Sequence, residues 1–267
     1  MRRASHVLFN TFNQDFGCFV CGLDDGFRIY NTDPLKQNFN EKLNGGIGAV
    51  EMLFRCNYVA LVGGGITPAF STNKVVIWDI INHKEVVQLE MNSDVRAVRL
   101  RRDRIVVVLD TSVHIFSFTD QPEKLQVYDS SRNPRGICCL CPASENSLLA
   151  FPAPLLRLQF AHKLLDRFYY AMRIQQSSYY SFVLFVCEEE KIPLRKLSFS
   201  GEVSVSRFRL PFPSKDKDFY ICAFGPQPDS VIVVSSDGSY CKFNFYSKRS
   251  ECIRQTCSLY LEITSDS

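Results

Sequence analysis

The sequence has no run of like charge and no basic tail, and its net charge is only +3 over 267 residues. That leaves no electrostatic footprint for nucleic acid, and no nucleic-acid partner is expected. Long apolar runs are also missing. The stretch "YYSFVLFVC", residues 179–187, is about half of the roughly 20 residues that a spanning helix needs, so no transmembrane segment is expected. The opening "MRRASHVLFNTFNQD" places two arginines before no apolar core, which does not read as a signal peptide. Catalytic constellations are lacking too. His6, His83, His114 and His162 are scattered, with no nucleophile setting around any of them, so no enzyme activity and no cofactor are expected. "LVGGG" at 61–65 lacks the Lys-Ser/Thr ending of a phosphate-binding loop and reads as a turn between strands.

Eleven cysteines are present, an odd number. Cys18, Cys21, Cys56, Cys222 and Cys241 fall in apolar, strand-like runs, so they are expected as buried free thiols of a cytoplasmic protein. Cys18-x-x-Cys21 has metal-ligand spacing, with Cys138, Cys139 and Cys141 as possible completing ligands. In a strand, however, residues three apart point to opposite faces, so no metal site is expected.

Four segments have the same form: "FVCGLDDGFRIYNTD" (19–33), "ALVGGG…NKVVIWDI" (60–80), "IVVVLDTSVHIFSFTD" (105–120) and "VIVVSSDGSYCKFNFYS" (231–247). Each is an apolar strand, a turn rich in Gly, Asp or Ser, and a second strand of alternating large residues. Asp25-Gly26 and Asp237-Gly238 are hairpin signals. Ile29, Ile77 and Ile115 recur at about the 40–45-residue period of a propeller blade, and "VVIWD" at 75–79 carries a Trp-Asp pair at a strand end. Such units cannot bury both faces alone and must stack around an axis; a β-sandwich is the weaker alternative.

The pattern breaks after "GICCLCPASENSLLAFP" (136–152). Leu158, Ala161, Leu165, Phe168 and Met172 then follow at helical steps. With Arg157, Lys163, Arg167 and Arg173, the segment 155–173 reads as a basic interfacial helix or as a helix covering an open flank. The abrupt change at residue 153 is also what a splice-like junction gives. "SSYYSFVLFV" reads as a strand with no partner nearby, and blade-like sequence returns near residue 205.

The strings "FNQDFGCFVCGLDDGFRIYNTDPLK", "VEMLFRCNYVALVGGG", "KVVIWD", "LRRDRIVVVLD", "NPRGICCLCP", "SLLAFP" and "ICAFGPQPDSVIVVSSDGSYCKFNF" resemble the WIPI propellers, also called PROPPINs, over roughly residues 8–152 and 206–266. The resemblance is to the branch whose lipid motif reads Leu-Arg-Arg-Gly. It implies an all-β fold: a WD40-type β-propeller, here incomplete relative to the family's seven blades, with a divergent, partly helical insert. The expected division is 1–152, blades one to three and the start of a fourth; 153–205, the insert; and 206–267, the C-terminal blade and closing strand. The family role it implies is an autophagy scaffold that binds phosphatidylinositol 3-phosphate or the 3,5-bisphosphate and recruits the lipid-transfer machinery. The location it implies is peripheral to phagophore or endosomal membranes.

The family's lipid pockets lie on its fifth and sixth blades, and no Leu-Arg-Arg-Gly or Phe-Arg-Arg-Gly occurs in this sequence. Lipid-binding residues therefore stay unassigned, and the alternative to the family role is a soluble protein-binding adaptor, or a fragment, that has lost specific phosphoinositide binding. Leu100-Arg101-Arg102-Asp103 is a look-alike in the third blade, with Asp103 where the motif has glycine. Its arginines are expected at a sheet edge, snorkelling beside Asp103. By the resemblance, Asn13 and Asp15 help bind the large lipid-transfer protein of autophagosome growth through blades one to three. Read from the residues alone, Asn13-Gln14-Asp15 is an exposed turn.

Overall fold

The computed structural model describes residues 6–142, 149–152, 219–227, 229–244 and 252–263, and the backbone of strands at 181–184 and 206–209. Within these, the chain is all-β and built of four-stranded antiparallel sheets. Blade one is β1 (Val7–Phe12), β2 (Cys18–Leu23), β3 (Gly26–Thr32) and β4 (Leu35–Lys42). Blade two is β5 (Ile47–Met52), β6 (Tyr58–Gly63), β7 (Lys74–Asp79) and β8 (Lys84–Glu90). Blade three is β9 (Ala97–Arg101), β10 (Arg104–Val108), β11 (Ser112–Ser117) and β12 (Lys124–Asp129). A short pair, β13 (Cys139–Leu140) and β14 (Leu149–Ala150), begins a fourth sheet against blade three.

Segment 181–184 is not solitary, as the sequence suggested. It forms β15 (Ser181–Leu184), antiparallel to β16 (Ser206–Arg209), a partner too distant in sequence to be visible from local pattern. The helical spacing at 155–173 lies outside the described residues. The closing blade is β17 (Tyr220–Phe224), β18 (Ser230–Ser235), β19 (Ser239–Asn244) and β20 (Ile253–Leu259).

The second strand of each blade is the buried one. Every residue of β2 and β18 is buried: β2 lies between blade two and the closing blade, and β18 packs on blade one with one face and among the side chains of its own blade with the other, whereas the outermost β12 is mostly exposed. Ile29, Ile77 and Ile115 occupy the third strands of blades one to three, so the sequence period is the blade period. Gly26 opens β3 at φ 138°, where a Cβ would run into the Glu41 carbonyl; this glycine lets β2 turn tightly into β3. Asp79 ends β7. Its carboxylate accepts from the Ile81 and Asn82 amides and the Asn82 side chain, which hold its pKa below the usual carboxylate value.

Blades join through apolar clusters. One holds Val20, Phe27 and Ile29 of blade one with Val50, Val59 and Leu61 of blade two. The next holds Ala60, Val62 and Ile77 of blade two with Val98, Leu100 and Ile105 of blade three. A third joins the two ends of the chain: Val7, Phe19, Cys21 and Tyr30 of blade one with Ile232, Val234, Tyr240 and Tyr260 of the closing blade. Polar ties reinforce that third junction. The Tyr240 hydroxyl donates to the Thr32 carbonyl at 2.6 Å, Lys242 pairs with Asp33 at 2.7 Å, and Arg28 donates to the Leu261 carbonyl at 3.0 Å.

Two cysteine expectations are corrected. Cys241 lies opposite Cys257 across β19 and β20, Cα atoms 4.3 Å apart, and is bonded to it as a disulfide. Cys56 is exposed, because the apolar run around it turns a corner there. Cys18 and Cys21 do face opposite ways, one toward blade two and the other toward the closing blade. Burial pushes the Cys21 and Cys138 thiols up to about 12, which leaves them unreactive.

Candidate functional site

The turns that join first to second strands in blades one, two and three all emerge on the same face. They are residues 13–17, 53–57 and 102–103. Most of the residues singled out from sequence lie here.

Asn13 is not exposed. It is 2% accessible and acts as a clamp. Its side-chain oxygen accepts from the Cys18 amide at 3.0 Å, closing its own turn, and its Nδ2 donates to the Phe54 carbonyl of blade two at 3.2 Å. An exposed-turn reading fails because the next blade's turn folds over this side chain. Asp15 is where it was expected. Its side chain is 47% accessible, its Oδ1 accepts from the Gly17 amide at 2.9 Å, and its Oδ2 lies 3.9 Å from Arg55. Arg55 also donates to the Gly17 carbonyl at 3.2 Å, and a Cβ on Gly17 would run into that guanidinium. The site therefore brings Asn13 and Asp15 together on one turn but gives them different jobs.

Gln14, passed over in the sequence reading, ties three blades. Its Nε2 donates to the Met52 carbonyl at 2.6 Å and lies 3.3 Å from the Leu100 carbonyl, and its Oε1 accepts from the Phe54 amide at 2.6 Å. Only its place between two candidate residues could have marked it, since its partners are 38, 40 and 86 residues away. Phe54 sits at φ 50°, a conformation that costs a non-glycine residue roughly 1–2 kcal/mol. It is held there by blade-one amides at both its N–H and its C=O.

The arginine pair divides in the same manner. Arg101 is buried at 3% accessibility, not snorkelling from an edge. Its strand, β9, is the inner one, and its guanidinium makes a two-pronged pair with Asp103 across the hairpin turn, Nε to Oδ1 at 2.6 Å and the second nitrogen to Oδ2 at 3.0 Å. That contact is the main reason the Asp103 carboxyl stays below its ordinary pKa. Burying Arg101 leaves no charge to offer a phosphate. Arg102 is exposed, and its guanidinium lies 5.6 Å from the Phe54 ring centroid, a cation–π distance.

Beneath this face, blades two and three share a buried charge. Glu51 of β5 is 7% accessible and lies 3.5 Å from Arg99 of β9, which also donates to the Cys138 carbonyl at 3.1 Å. Burial pushes the Glu51 carboxyl up to about 7, against opposing pulls from Arg99 and the Leu100 amide.

Elsewhere the geometry offers little chemistry. Ser112 lies 3.0 Å from His114 Nε2, but His114 Nδ1 is buried with no partner, so no carboxylate orients the ring as a general base. A cleft of about 520 Å³ between blade one and the closing blade is lined by Asp33, Leu35, Tyr240, Lys242 and Asn244, and its Lys242 is already paired with Asp33. Among the described residues, no group of three or more His, Cys, Asp or Glu is placed to hold a metal, and no helix is long and apolar enough to cross a membrane.

Comparison with known proteins agrees with this architecture. The chain is 44% identical over 147 residues to an SVP1-like protein 2 of Debaryomyces hansenii, and 43% identical over 148 residues to one of Pichia angusta. The matched stretches are 53% and 55% of this chain but 34% and 41% of those relatives, so the chain spans well under two thirds of their length. Among solved structures, Kluyveromyces lactis Hsv2 superposes with a TM-score of 0.71 at 16% identity, over 96% of this chain and 99% of that one. A complex of KlAtg21 with the coiled coil of AgAtg16 gives 0.62 at 14% identity, over 95% and 99%. These distant superpositions speak to the propeller fold alone. The PROPPIN family profile matches residues 7–161, more than half of the sequence, and the chain belongs to the PROPPIN family.

Proposed function

We propose that this chain is a protein-docking propeller of the autophagy machinery. Its working surface is the turn face of blades one to three, and its partner is the lipid-transfer protein of autophagosome growth. One observation carries the reading: a knot of side-chain amides from blade one fixes the turns of blades two and three and leaves Asp15, Arg55 and Arg102 exposed, with the half-buried Phe54 ring beneath Arg102. Rigid scaffolds that present such loops are common docking surfaces. A family likeness supports it, since KlAtg21 has been solved with a protein partner, the AgAtg16 coiled coil. On this reading, residues 1–152 form the docking unit, 153–205 an insert, and 206–267 the blade that closes onto blade one. The protein then works in the cytoplasm and reaches phagophore or endosomal membranes through its partner.

Phosphoinositide binding by the chain itself rests on family membership alone. The one Arg-Arg pair resembling the family motif has Arg101 committed to Asp103.

The test is Asp15→Ala, measured for affinity to the purified lipid-transfer protein. Asp15 is half exposed and its ion pair is long, so stability should change by less than about 0.5 kcal/mol. A loss of at least about tenfold in affinity, roughly 1.4 kcal/mol, supports the reading. Unchanged affinity overturns it.

A further inference from the structure

Building on the docking reading, we infer that the contact element of this face is the Phe54–Arg102 pair, and that Asn13 and Gln14 are positioning residues acting through it. Asn13 is buried and cannot present its amide to a partner protein. What its amide does reach is the Phe54 carbonyl, while Gln14 reaches the Phe54 amide. Both polar backbone groups of one strained residue are therefore satisfied by neighbouring side chains of another blade, 41 and 40 residues away. A residue held so firmly in a sparsely populated conformation marks a surface whose shape is fixed in advance.

The same knot fixes Arg102. Gln14 Nε2 contacts the Leu100 carbonyl, and Arg101 locks the following turn through Asp103. Arg102 is thus carried on a hairpin anchored on both sides of it, with its guanidinium over the Phe54 ring. The product at the surface is one exposed cation set over one half-buried aromatic in fixed relation, contributed by two different blades. The amides that set this relation come from a third. Loss of either amide releases Phe54 from its left-handed conformation and separates the ring from Arg102.

The experiment measures affinity for the lipid-transfer protein with Gln14→Met, Arg102→Ala and the double variant. Gln14→Met keeps length and removes every hydrogen bond of the amide. Each single change should weaken binding about tenfold, and the double should be no weaker than the worse single, because both act on one element. A merely structural effect of Gln14 would add to that of Arg102, so additive losses overturn the positioning role. Wild-type affinity in Arg102→Ala, an exposed site whose loss leaves the fold intact, overturns the contact element even if Gln14→Met proves too unstable to measure. Asp15→Ala separates the two levels: if it loses binding while Arg102→Ala does not, this inference fails and the docking reading stands.

Discussion

Replacing Tyr260 with alanine should cost about 3–5 kcal/mol and loosen the closing blade from blade one. Tyr260 is fully buried at the junction of the chain's two ends. Its ring meets Phe19 and Tyr30 edge-on, each at a centroid distance of 5.2 Å. Its hydroxyl donates to the Ser235 carbonyl at 3.0 Å and lies 3.3 Å from the Asn10 side-chain oxygen. Truncation therefore leaves a cavity between two blades and strips a buried carbonyl of its donor. Tyr260→Phe, which keeps the ring, should cost only about 1 kcal/mol. Chemical denaturation of both variants checks this. An alanine cost no greater than that of phenylalanine would mean that the two ends of the chain do not pack as described.

The second large effect is a pH dependence. The native Glu51 carboxyl titrates near 7, against 4.5 for the free side chain. Between these values the folded protein holds a proton that the unfolded chain has lost. Stability from this group is therefore fully present below about pH 4.5 and is lost as pH rises through 7, where the buried carboxyl must ionise beside Arg99. Glu51→Gln keeps the shape and removes the charge. At pH 8 the variant should be more stable than the parent by roughly 3.5 kcal/mol, since each pKa unit is worth about 1.4 kcal/mol. At pH 4.5 the two should coincide. Melting both proteins across that range reads the difference directly, and parallel profiles would show that Glu51 ionises freely in the fold.

Much of the architecture was legible because a blade is a local object. Strand alternation, the Asp-Gly turns and the recurrence of Ile29, Ile77 and Ile115 all lie within one blade length, and the structure places those isoleucines on equivalent strands. What was illegible is what one blade does to another. Asn13 looks like a turn residue from its neighbours and becomes buried only when the blade-two turn closes over it. Gln14 carries no signal, because its partners are set by how blades one to three stack. Arg101 follows two apolar-flanked positions on an ordinary strand, and its burial depends on Asp103 curling back across the turn to meet it. The Cys241–Cys257 bond depends on the register of β19 against β20, which includes a bulge that spacing alone cannot give. For Asn13 and Gln14 the missing information is the position of a strand in another blade; for Arg101 and Cys241 it is the conformation of a turn and the register of a hairpin within one blade.

The central proposal is that this chain docks on protein and does not by itself hold a phosphoinositide headgroup. Liposome flotation tests it most directly, using vesicles with and without phosphatidylinositol 3-phosphate, in the presence and absence of the lipid-transfer protein. The account predicts that the chain alone stays at the bottom of the gradient with either vesicle and floats when the lipid-transfer protein is added. Flotation of the chain alone that depends on the 3-phosphate would contradict the account and show that the propeller carries a headgroup site of its own.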